Sequence, residues 1–281
     1  MRRALVLLAS LLLGCDVPPG WAADALLHPM RRPSSGAPAG AAPFAVEVEP
    51  GVALRGWLAR GFPPRRGLIL YLHGVGDNKD SAIGLATRYG PRGWDVAAYD
   101  ARAHGESGGA NCTYGFYEKR DVARVLDTLQ ASGARVEPTI LFGASMGAAV
   151  ALQAAPLDGR VRAVVAQSPF ADLDGAVRAM KPFFLSHQSV VLARLVAEER
   201  ARFQLAGVSP LASVRALGVP LLLVHGTADA KLPVENSRRL LAAAASADKT
   251  LIEIAGGGHD DLWSRAETWQ AIDPFIDRAT R

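Results

Sequence analysis

The sequence predicts an α/β domain with a doubly wound, mostly parallel sheet and a short helical cap. Short apolar runs, typical of strands that are buried on both faces, alternate along the chain with longer helical segments. One such run, Thr139-Ile140-Leu141-Phe142, leads through a sharp turn into an Ala-rich helical segment. Because active-site loops gather at the carboxyl ends of parallel strands, we expect the functional residues directly after the strands.

The order of the elements follows from the apolar pattern. A first hairpin is predicted from residues 44–49 and 52–59, which alternate around Pro50-Gly51. Parallel strands are predicted near residues 67–73, 94–99, 138–143, 161–167, 219–225 and 249–255. Helices are predicted near residues 78–89, 115–132, 145–155, 233–246 and 261–279. This alternation supports a doubly wound sheet.

The turn Gly143-Ala144-Ser145-Met146-Gly147 has the pattern Gly-x-Ser-x-Gly and predicts a catalytic nucleophile at Ser145. A serine in so tight a strand-to-helix turn has a strained backbone, and small residues must flank it to avoid collisions. The strain exposes the hydroxyl at the top of the sheet. The N-terminus of the following helix directs backbone N–H groups towards the atom that the hydroxyl attacks.

Two later segments complete the order Ser…Asp…His that one architecture of serine hydrolases requires. The apolar run Leu221–Val224 ends in a turn that carries Asp229, the predicted acid. A further strand-like run precedes three glycines and His259, the predicted base. A plain surface loop is the alternative for this Gly-rich segment, and the preceding Ser145 and Asp229 favour the catalytic interpretation.

The loop His73-Gly74-Val75-Gly76-Asp77 follows another buried-strand run and fits the remaining requirement of acyl transfer. The reaction passes through a tetrahedral oxyanion, which needs preorganised hydrogen-bond donors. We predict these donors to be the backbone N–H groups of Met146, directly after the nucleophile, and of Val75. We interpret His73 as a buried, hydrogen-bonded residue that shapes the turn rather than as a base.

Taken together, these segments resemble the serine-hydrolase branch of the α/β-hydrolase superfamily, around Bem46-like and serine-aminopeptidase-like proteins. The matching segments occur in the same order over roughly residues 45–278 and are His73-Gly74-Val75-Gly76, Asp100-Ala101-Arg102-Ala103-His104-Gly105-Glu106-Ser107, Tyr114-Gly115-Phe116-Tyr117-Glu118-Lys119, the turn at 143–147, Gln167-Ser168-Pro169-Phe170 and His225-Gly226-Thr227-Ala228-Asp229. The resemblance implies the α/β-hydrolase fold and the triad, but not the substrate. One departure is Ala103, where the family usually has glycine in a structural loop.

The predicted function is hydrolysis of esters with small or medium acyl groups through an acyl-enzyme. In this mechanism His259 takes the proton of Ser145, and Asp229 orients the imidazole. A serine aminopeptidase or other amidase with the same triad is the alternative, and a non-catalytic, membrane-tethered binding protein is a further one. Asp100, at the end of an earlier strand, is the rival acid.

Composition excludes several other classes of protein. The chain of 281 residues is 49% hydrophobic and 21% charged, which is typical of a globular protein. Its net charge of +4 comes from scattered basic residues, so we expect no nucleic-acid partner. The six histidines lack metal-binding spacing, so we predict no metal and no cofactor. We expect Cys112 to be a buried, inert thiol.

Residues 1–22 predict an export signal, because two arginines precede an apolar segment too short to span about 30 Å of bilayer. The segment Leu12-Leu13-Gly14-Cys15 resembles a lipobox and favours a membrane-anchored lipoprotein with a lipidated Cys15. Cleavage after Ala22 would instead release a soluble periplasmic or secreted protein. Residues 23–43 predict a flexible tether ahead of a hydrolase domain at 44–281.

Residues 171–209 form the predicted cap region, of one or two helices, and are expected to determine substrate choice. Four of its apolar side chains either line an acyl pocket or pack the cap onto the body, and we favour packing. They are Met180, Phe183, Phe184 and Leu185. Asp172 and Asp174 could hold the amino group of a peptide substrate, although solvated carboxylates are the expected state.

Overall fold

The computed structural model describes residues 17–182 and 185–278, and its strands join in one eight-stranded sheet. The strands are β1 (Ala42–Glu49), β2 (Val52–Ala59), β3 (Gly67–Leu72), β4 (Trp94–Tyr99), β5 (Thr139–Ala144), β6 (Val161–Gln167), β7 (Leu221–Gly226) and β8 (Lys249–Ile254). Their order across the sheet is β1-β2-β4-β3-β5-β6-β7-β8. The hairpin β1–β2 and the pair β2–β4 are antiparallel, and all other neighbours are parallel. The predicted mostly parallel sheet is confirmed.

Helices cover both faces of this sheet, which is why its central strands are buried along their whole length. The α-helices of the described residues are α1 (Pro19–Leu27), α2 (Ile83–Tyr89), α3 (Glu118–Ala131), α4 (Met146–Ala154), α5 (Leu173–Ala179), α6 (His187–Ala201), α7 (Pro210–Ser213), α8 (Glu235–Ala243) and α9 (Ala266–Arg278). The apolar sides of α3, α4 and α8 belong to one buried cluster, and those of α2 and α9 to the other. Helices α5 and α6 lie within residues 171–209.

The segment before the sheet is packed, which differs from the flexible tether predicted for residues 23–43. Helix α1 lies against α6, and the side chains of Ala23 and Leu27 are fully buried. The Arg31 guanidinium donates to the main-chain carbonyls of Gly105, Ser107 and Gly109 at 2.5–3.2 Å. A Pro-, Gly- and Ser-rich composition indicates the lack of regular structure, but it does not report such contacts.

Most of the predicted export signal, including Cys15, lies outside the described residues. Its last residues, Pro19–Ala22, form the first half of α1. Within 17–182 and 185–278, no helix combines the length and the apolar character needed to cross a membrane.

Candidate active site

The backbone at Ser145 has φ 53° and ψ −116°, a conformation that non-glycine residues rarely adopt. A side-chain carbon added at Gly143 would lie 2.4 Å from the carbonyl oxygen of Gly147. One added at Gly147 would lie 2.0 Å from the carbonyl oxygen of Leu72. The strained serine and the need for small residues on both sides are therefore confirmed. The Ser145 N–H donates to the Gln167 carbonyl at 2.8 Å, which fixes the turn to β6.

Ser145, His259 and Asp229 lie in one hydrogen-bonded chain. The Nε2 atom of His259 is 3.0 Å from the Ser145 hydroxyl oxygen, and its Nδ1 atom is 2.6 Å from Asp229 Oδ2. Because the carboxylate can only accept, Nδ1 carries the proton, and Nε2 is left free to accept the hydroxyl proton. The three residues predicted from chain order are thus brought together in the geometry of general-base assistance.

The loops after β7 and β8 bring the acid and the base together. The Ala228 N–H donates to the Gly257 carbonyl at 2.8 Å, and the Thr227 N–H donates to the Ile254 carbonyl at 3.0 Å. The two backbones approach so closely that a side-chain carbon at Gly226 would lie 2.2 Å from the Gly257 oxygen. Glycine at this position permits the contact, and Asp229 and His259 face each other as a result.

Asp229 is buried yet held in its charged form. Burial alone would raise the pKa of its carboxyl, but hydrogen bonds from His225, His259 and the Leu232 backbone hold that pKa well below its usual range. Its Oδ1 atom accepts the backbone N–H groups of Lys231 and Leu232 at 2.9 and 2.8 Å. The carboxylate is therefore a fixed negative charge behind the imidazole.

His225 is the residue of this site that the sequence analysis assigned no role. It lies near the end of β7, fully buried, with Nε2 2.8 Å from the Leu232 carbonyl and 3.2 Å from Asp229 Oδ2. Since both neighbours only accept, Nε2 carries the proton, and Nδ1 accepts from the Ser237 hydroxyl at 2.7 Å. The sequence signal for this contact is the spacing of four residues between His225 and Asp229 in the segment His225-Gly226-Thr227-Ala228-Asp229.

The predicted oxyanion donors lie beside the serine. A side-chain carbon added at Gly74 would reach van der Waals contact with Ser145 Cβ, at 3.4 Å, so this loop passes close to the serine. None of the described residues accepts a hydrogen bond from the N–H of Met146 or of Val75. Both residues line a cavity together with Ser145. Two free donors next to the hydroxyl suit a developing negative charge.

The other candidates in this region have structural partners. His73 is buried, donates from Nδ1 to the Gly74 carbonyl at 2.8 Å and accepts the Ala101 N–H at Nε2 at 2.9 Å. The interpretation that it shapes the turn is confirmed, and burial is the main cause that lowers its pKa. Asp100 accepts from the Lys79 ammonium at 2.8 Å and from the Glu106 N–H at 2.9 Å.

Two cavities meet at Ser145. The first, of about 290 Å³, is called the apolar cavity here, and its lining includes Leu26, Phe170, Leu173, Val177, Met180 and Leu185. The second, of about 610 Å³, is called the polar cavity, and its lining includes Arg32, Asp77, Gln167, Lys231, His259 and Asp260. A substrate bound across the serine can therefore place an apolar group on one side and a polar group on the other.

Some of the cap residues line a cavity at Ser145, and others only pack or form ion pairs. Met180 and Leu185 both line the apolar cavity; Met180 is half exposed, whereas Leu185 is also buried, as packing of the cap predicts. Phe183 and Phe184 lie outside the described residues. Asp172 accepts the Gly175 N–H and caps α5. Asp174 pairs with Arg178 and Arg194 at 2.7 and 2.5 Å. Neither carboxylate lines the apolar or the polar cavity.

Cys112 is buried, as predicted, and burial raises the pKa of its thiol well above the ordinary value. Its sulfur lies 3.4 Å from that of Met146. Over the described ranges, His, Cys, Asp and Glu side chains form no group of three that could hold a metal ion. The absence of a metal or cofactor stays a prediction.

The model of a known protein family matches residues 63–209 and describes the serine aminopeptidases of family S33. This match covers just over half of the chain. The protein belongs to this family. This chain also has the α/β-hydrolase fold. The Pyrococcus furiosus esterase Pf2001 superposes on it with a TM-score of 0.74 at 22% identity, and the superposition covers 90% of this chain and 100% of the esterase. The family expected from the sequence is confirmed, and so is the α/β-hydrolase fold.

Two relatives extend the comparison. An uncharacterized protein of Bacillus subtilis, YqkD, is 32% identical over 177 residues, which are 61% of this chain and 58% of YqkD. This chain thus spans less than two thirds of the length of YqkD. A monoacylglycerol lipase of Mycolicibacterium smegmatis is 28% identical over 247 residues, with 74% of this chain and 86% of the lipase covered.

Proposed function

We propose that this protein is a serine esterase that cleaves esters with a small or medium acyl group. The observation that carries the proposal is the hydrogen-bonded chain Asp229–His259–Ser145, with two unpartnered backbone N–H groups and an apolar cavity at its end. Proteins of this fold catalyse many different reactions. We therefore infer the bond that is cleaved from the shape and charge of the site.

The proposed mechanism has two halves. His259 Nε2 takes the hydroxyl proton as Ser145 attacks the acyl carbon, and the imidazolium is stabilised by Asp229, which keeps its charge. The N–H groups of Met146 and Val75 stabilise the oxyanion, each by roughly 3 kcal/mol in well-studied cases. The proton then passes to the leaving alcohol. Water repeats the sequence on the acyl-enzyme and releases the acid.

The charges around the apolar cavity favour an ester over an N-terminal peptide. An aminopeptidase holds a positively charged amino group close to the scissile carbonyl, which calls for a carboxylate. The charged residues that line the apolar cavity are Lys181 and Arg194, both positive, and the lining contains no aspartate or glutamate among the described residues. An apolar acyl chain suits this surface better than an ammonium does.

Two of the proteins compared above have names that are in keeping with this proposal. The Mycolicibacterium smegmatis protein is a monoacylglycerol lipase, and Pf2001 is an esterase. Both names refer to ester cleavage, which is the reaction class proposed for this chain.

A serine aminopeptidase is the second candidate, and the polar cavity favours it. Asp77 and Asp260 line this cavity near Ser145, and either could face an amino group. Each already has a cationic partner, however: Arg32 lies 3.1 Å from Asp77, and Lys231 lies 2.6 Å from Asp260. The family description names this activity, so aminoacyl p-nitroanilides belong in the same test as esters.

The experiment compares Ser145→Ala with Ser81→Ala, a matched variant because Ser81 also lines the polar cavity. A fluorophosphonate probe is expected to label the wild type and Ser81→Ala, but not Ser145→Ala. Hydrolysis of p-nitrophenyl esters and aminoacyl p-nitroanilides is measured on the same samples. Full labelling of Ser145→Ala would reject the nucleophile, and cleavage of the anilides in preference to the esters would favour the aminopeptidase.

We also propose that the protein is a lipoprotein anchored through Cys15. Cleavage after Ala22 would divide α1 and remove Trp21 and Ala22, which line the apolar cavity, whereas processing at Cys15 keeps the whole helix. Cell fractionation of the wild type and Cys15→Ser tests this: the wild type is expected with membranes and the variant released from them. A wild-type protein that begins at Ala23 in the soluble fraction would reject the anchor.

A further inference from the structure

We propose that helix α1 is one wall of the acyl-binding site and limits the length of the acyl chain. This inference rests on the esterase function proposed above and deepens it. Helix α1 precedes the sheet and lies outside the residues that match the family model, which begin at residue 63. The site would then include a part of the chain that the family match does not cover.

One face of α1 lines the apolar cavity. The residues involved are Trp21, Ala22, Ala25 and Leu26, which recur one turn apart and so share a side of the helix. A neighbouring stripe, Ala23 and Leu27, is fully buried and joins the main apolar cluster. The helix is therefore docked by one stripe while the other faces the space beside Ser145.

Both ends of α1 are fixed to the rest of the protein. At its C-terminus the free carbonyls of Leu26 and Leu27 accept the Tyr114 hydroxyl at 2.9 Å and the Cys112 N–H at 2.8 Å. Tyr114 lines the same cavity, and the sulfur of Cys112 contacts that of Met146, the residue after the nucleophile. The wall is thus tied to the backbone that carries the reacting serine.

At the N-terminal end the contact is made with α6. The Arg200 guanidinium donates to Asp24 at 2.6 Å and to the Gly20 carbonyl at 3.2 Å. Helix α6 contributes Val190 and Ala193 to the same cavity lining. Because α1 and α6 pack against each other and both line the cavity, a shift of α1 on α6 would change the shape of the cavity.

The size of the cavity points to a medium acyl chain. A volume of about 290 Å³ holds on the order of ten heavy atoms if each needs the roughly 30 Å³ that a water occupies in the liquid. Each methylene of the acyl chain that is buried in this cavity strengthens binding by roughly fourfold. Activity is expected to rise with acyl length until the chain reaches α1 and then to fall.

The test uses two substitutions with opposite effects on the cavity. Ala22→Phe fills it, and Leu26→Ala enlarges it. The kcat/KM of each full-length variant is measured for p-nitrophenyl esters from acetate to laurate. For Ala22→Phe the ratio of decanoate to acetate is expected to fall at least tenfold, with acetate hydrolysis retained. For Leu26→Ala the preferred chain is expected to become longer by about two carbons.

Two controls separate the wall from the general stability of α1. His28→Phe adds an aromatic ring at the C-terminal cap of α1, outside the cavity lining, and Leu157→Ala removes an exposed leucine far along the chain. Both are expected to keep the chain-length profile of the wild type. If Ala22→Phe and Leu26→Ala also keep that profile, or lower all esters by one factor, the proposed wall is rejected. A wild type that cleaves no ester would instead reject the proposed function.

Discussion

The Nε2 atom of His225 lies 3.2 Å from Asp229 Oδ2, the same oxygen that His259 Nδ1 contacts at 2.6 Å. One carboxylate oxygen therefore accepts from two imidazoles, while the other oxygen accepts two backbone N–H groups. An acid with all its lone pairs occupied can neither rotate nor turn towards solvent. In the proposed mechanism this fixes the tautomer and the direction of the His259 ring.

The first prediction concerns His225 as a positioning residue. His225→Leu leaves Asp229 Oδ2 without one buried donor, which costs about 1–3 kcal/mol in comparable cases. We expect kcat for a short ester to fall ten- to hundredfold with KM nearly unchanged, and His225→Gln to recover part of the loss through its amide donor. His187→Leu, at an exposed histidine, is the control. A folded His225→Leu protein with full kcat would contradict the role.

A second prediction separates the two carboxylates that the sequence left as rivals. Asp229→Asn is expected to lower kcat on the order of 10⁴-fold, because the amide favours the wrong imidazole tautomer. Asp100→Asn weakens the pairing with the buried Lys79 ammonium and is expected to lower Tm, with kcat per folded molecule retained. Circular dichroism and urea unfolding give the folded fraction of each. The opposite assignment of the two losses would make Asp100 the acid.

The buried strands and the residues that follow them were predictable from the sequence. The mostly apolar runs of β3, β4, β5 and β7 predicted those strands within two residues, because a strand buried on both faces has few polar positions to obscure it. Ser145, Asp229 and His259 were predictable because each directly follows a strand of a parallel sheet. Topology then determines that these residues meet.

What the sequence did not predict depends on contacts between distant segments. The packing of α1 depends on Cys112 and Tyr114, more than eighty residues away, which donate hydrogen bonds to its last carbonyls. It also depends on Arg31, which donates to the loop after β4. The part that Met180 plays in the apolar cavity depends on where the cap lies over Ser145. No local pattern reports either arrangement, since both are decided by tertiary packing.

A third prediction concerns acid stability. Burial, with the neighbouring His73 ring, lowers the pKa of His104 from its ordinary value of 6.5 to about 4. Between these values the unfolded chain binds the proton and the folded one does not, so stability is full above pH 6.5 and falls as the pH decreases to about 4. The slope is up to about 1.4 kcal/mol per pH unit for one proton.

The measurement is urea unfolding at pH 7 and pH 5 for the wild type and His104→Gln, whose amide can still donate to the Arg102 carbonyl that His104 Nδ1 contacts at 2.8 Å. The variant is expected to lose less stability between the two pH values. Some loss remains in it, because burial lowers the pKa of His73 in the same direction. His28→Gln, at an exposed histidine, serves as control. An equal loss in the wild type and in His104→Gln would contradict the assignment.

The last prediction concerns Ala103, which replaces the glycine of the motif that this segment resembles. Its backbone has φ 60°, the left-handed region, which costs a residue with a side chain roughly 1–2 kcal/mol. Ala103→Gly relieves this strain, although the more flexible unfolded chain offsets about 0.4–1 kcal/mol. We expect a net gain of about 0.5–1 kcal/mol, seen as a Tm higher by a few degrees at unchanged activity. Ala98→Gly, at an equally buried alanine in β4, lacks the strain and is expected to lower Tm. A Tm that falls in both variants would mean that the strain at Ala103 is smaller than the packing of its methyl group.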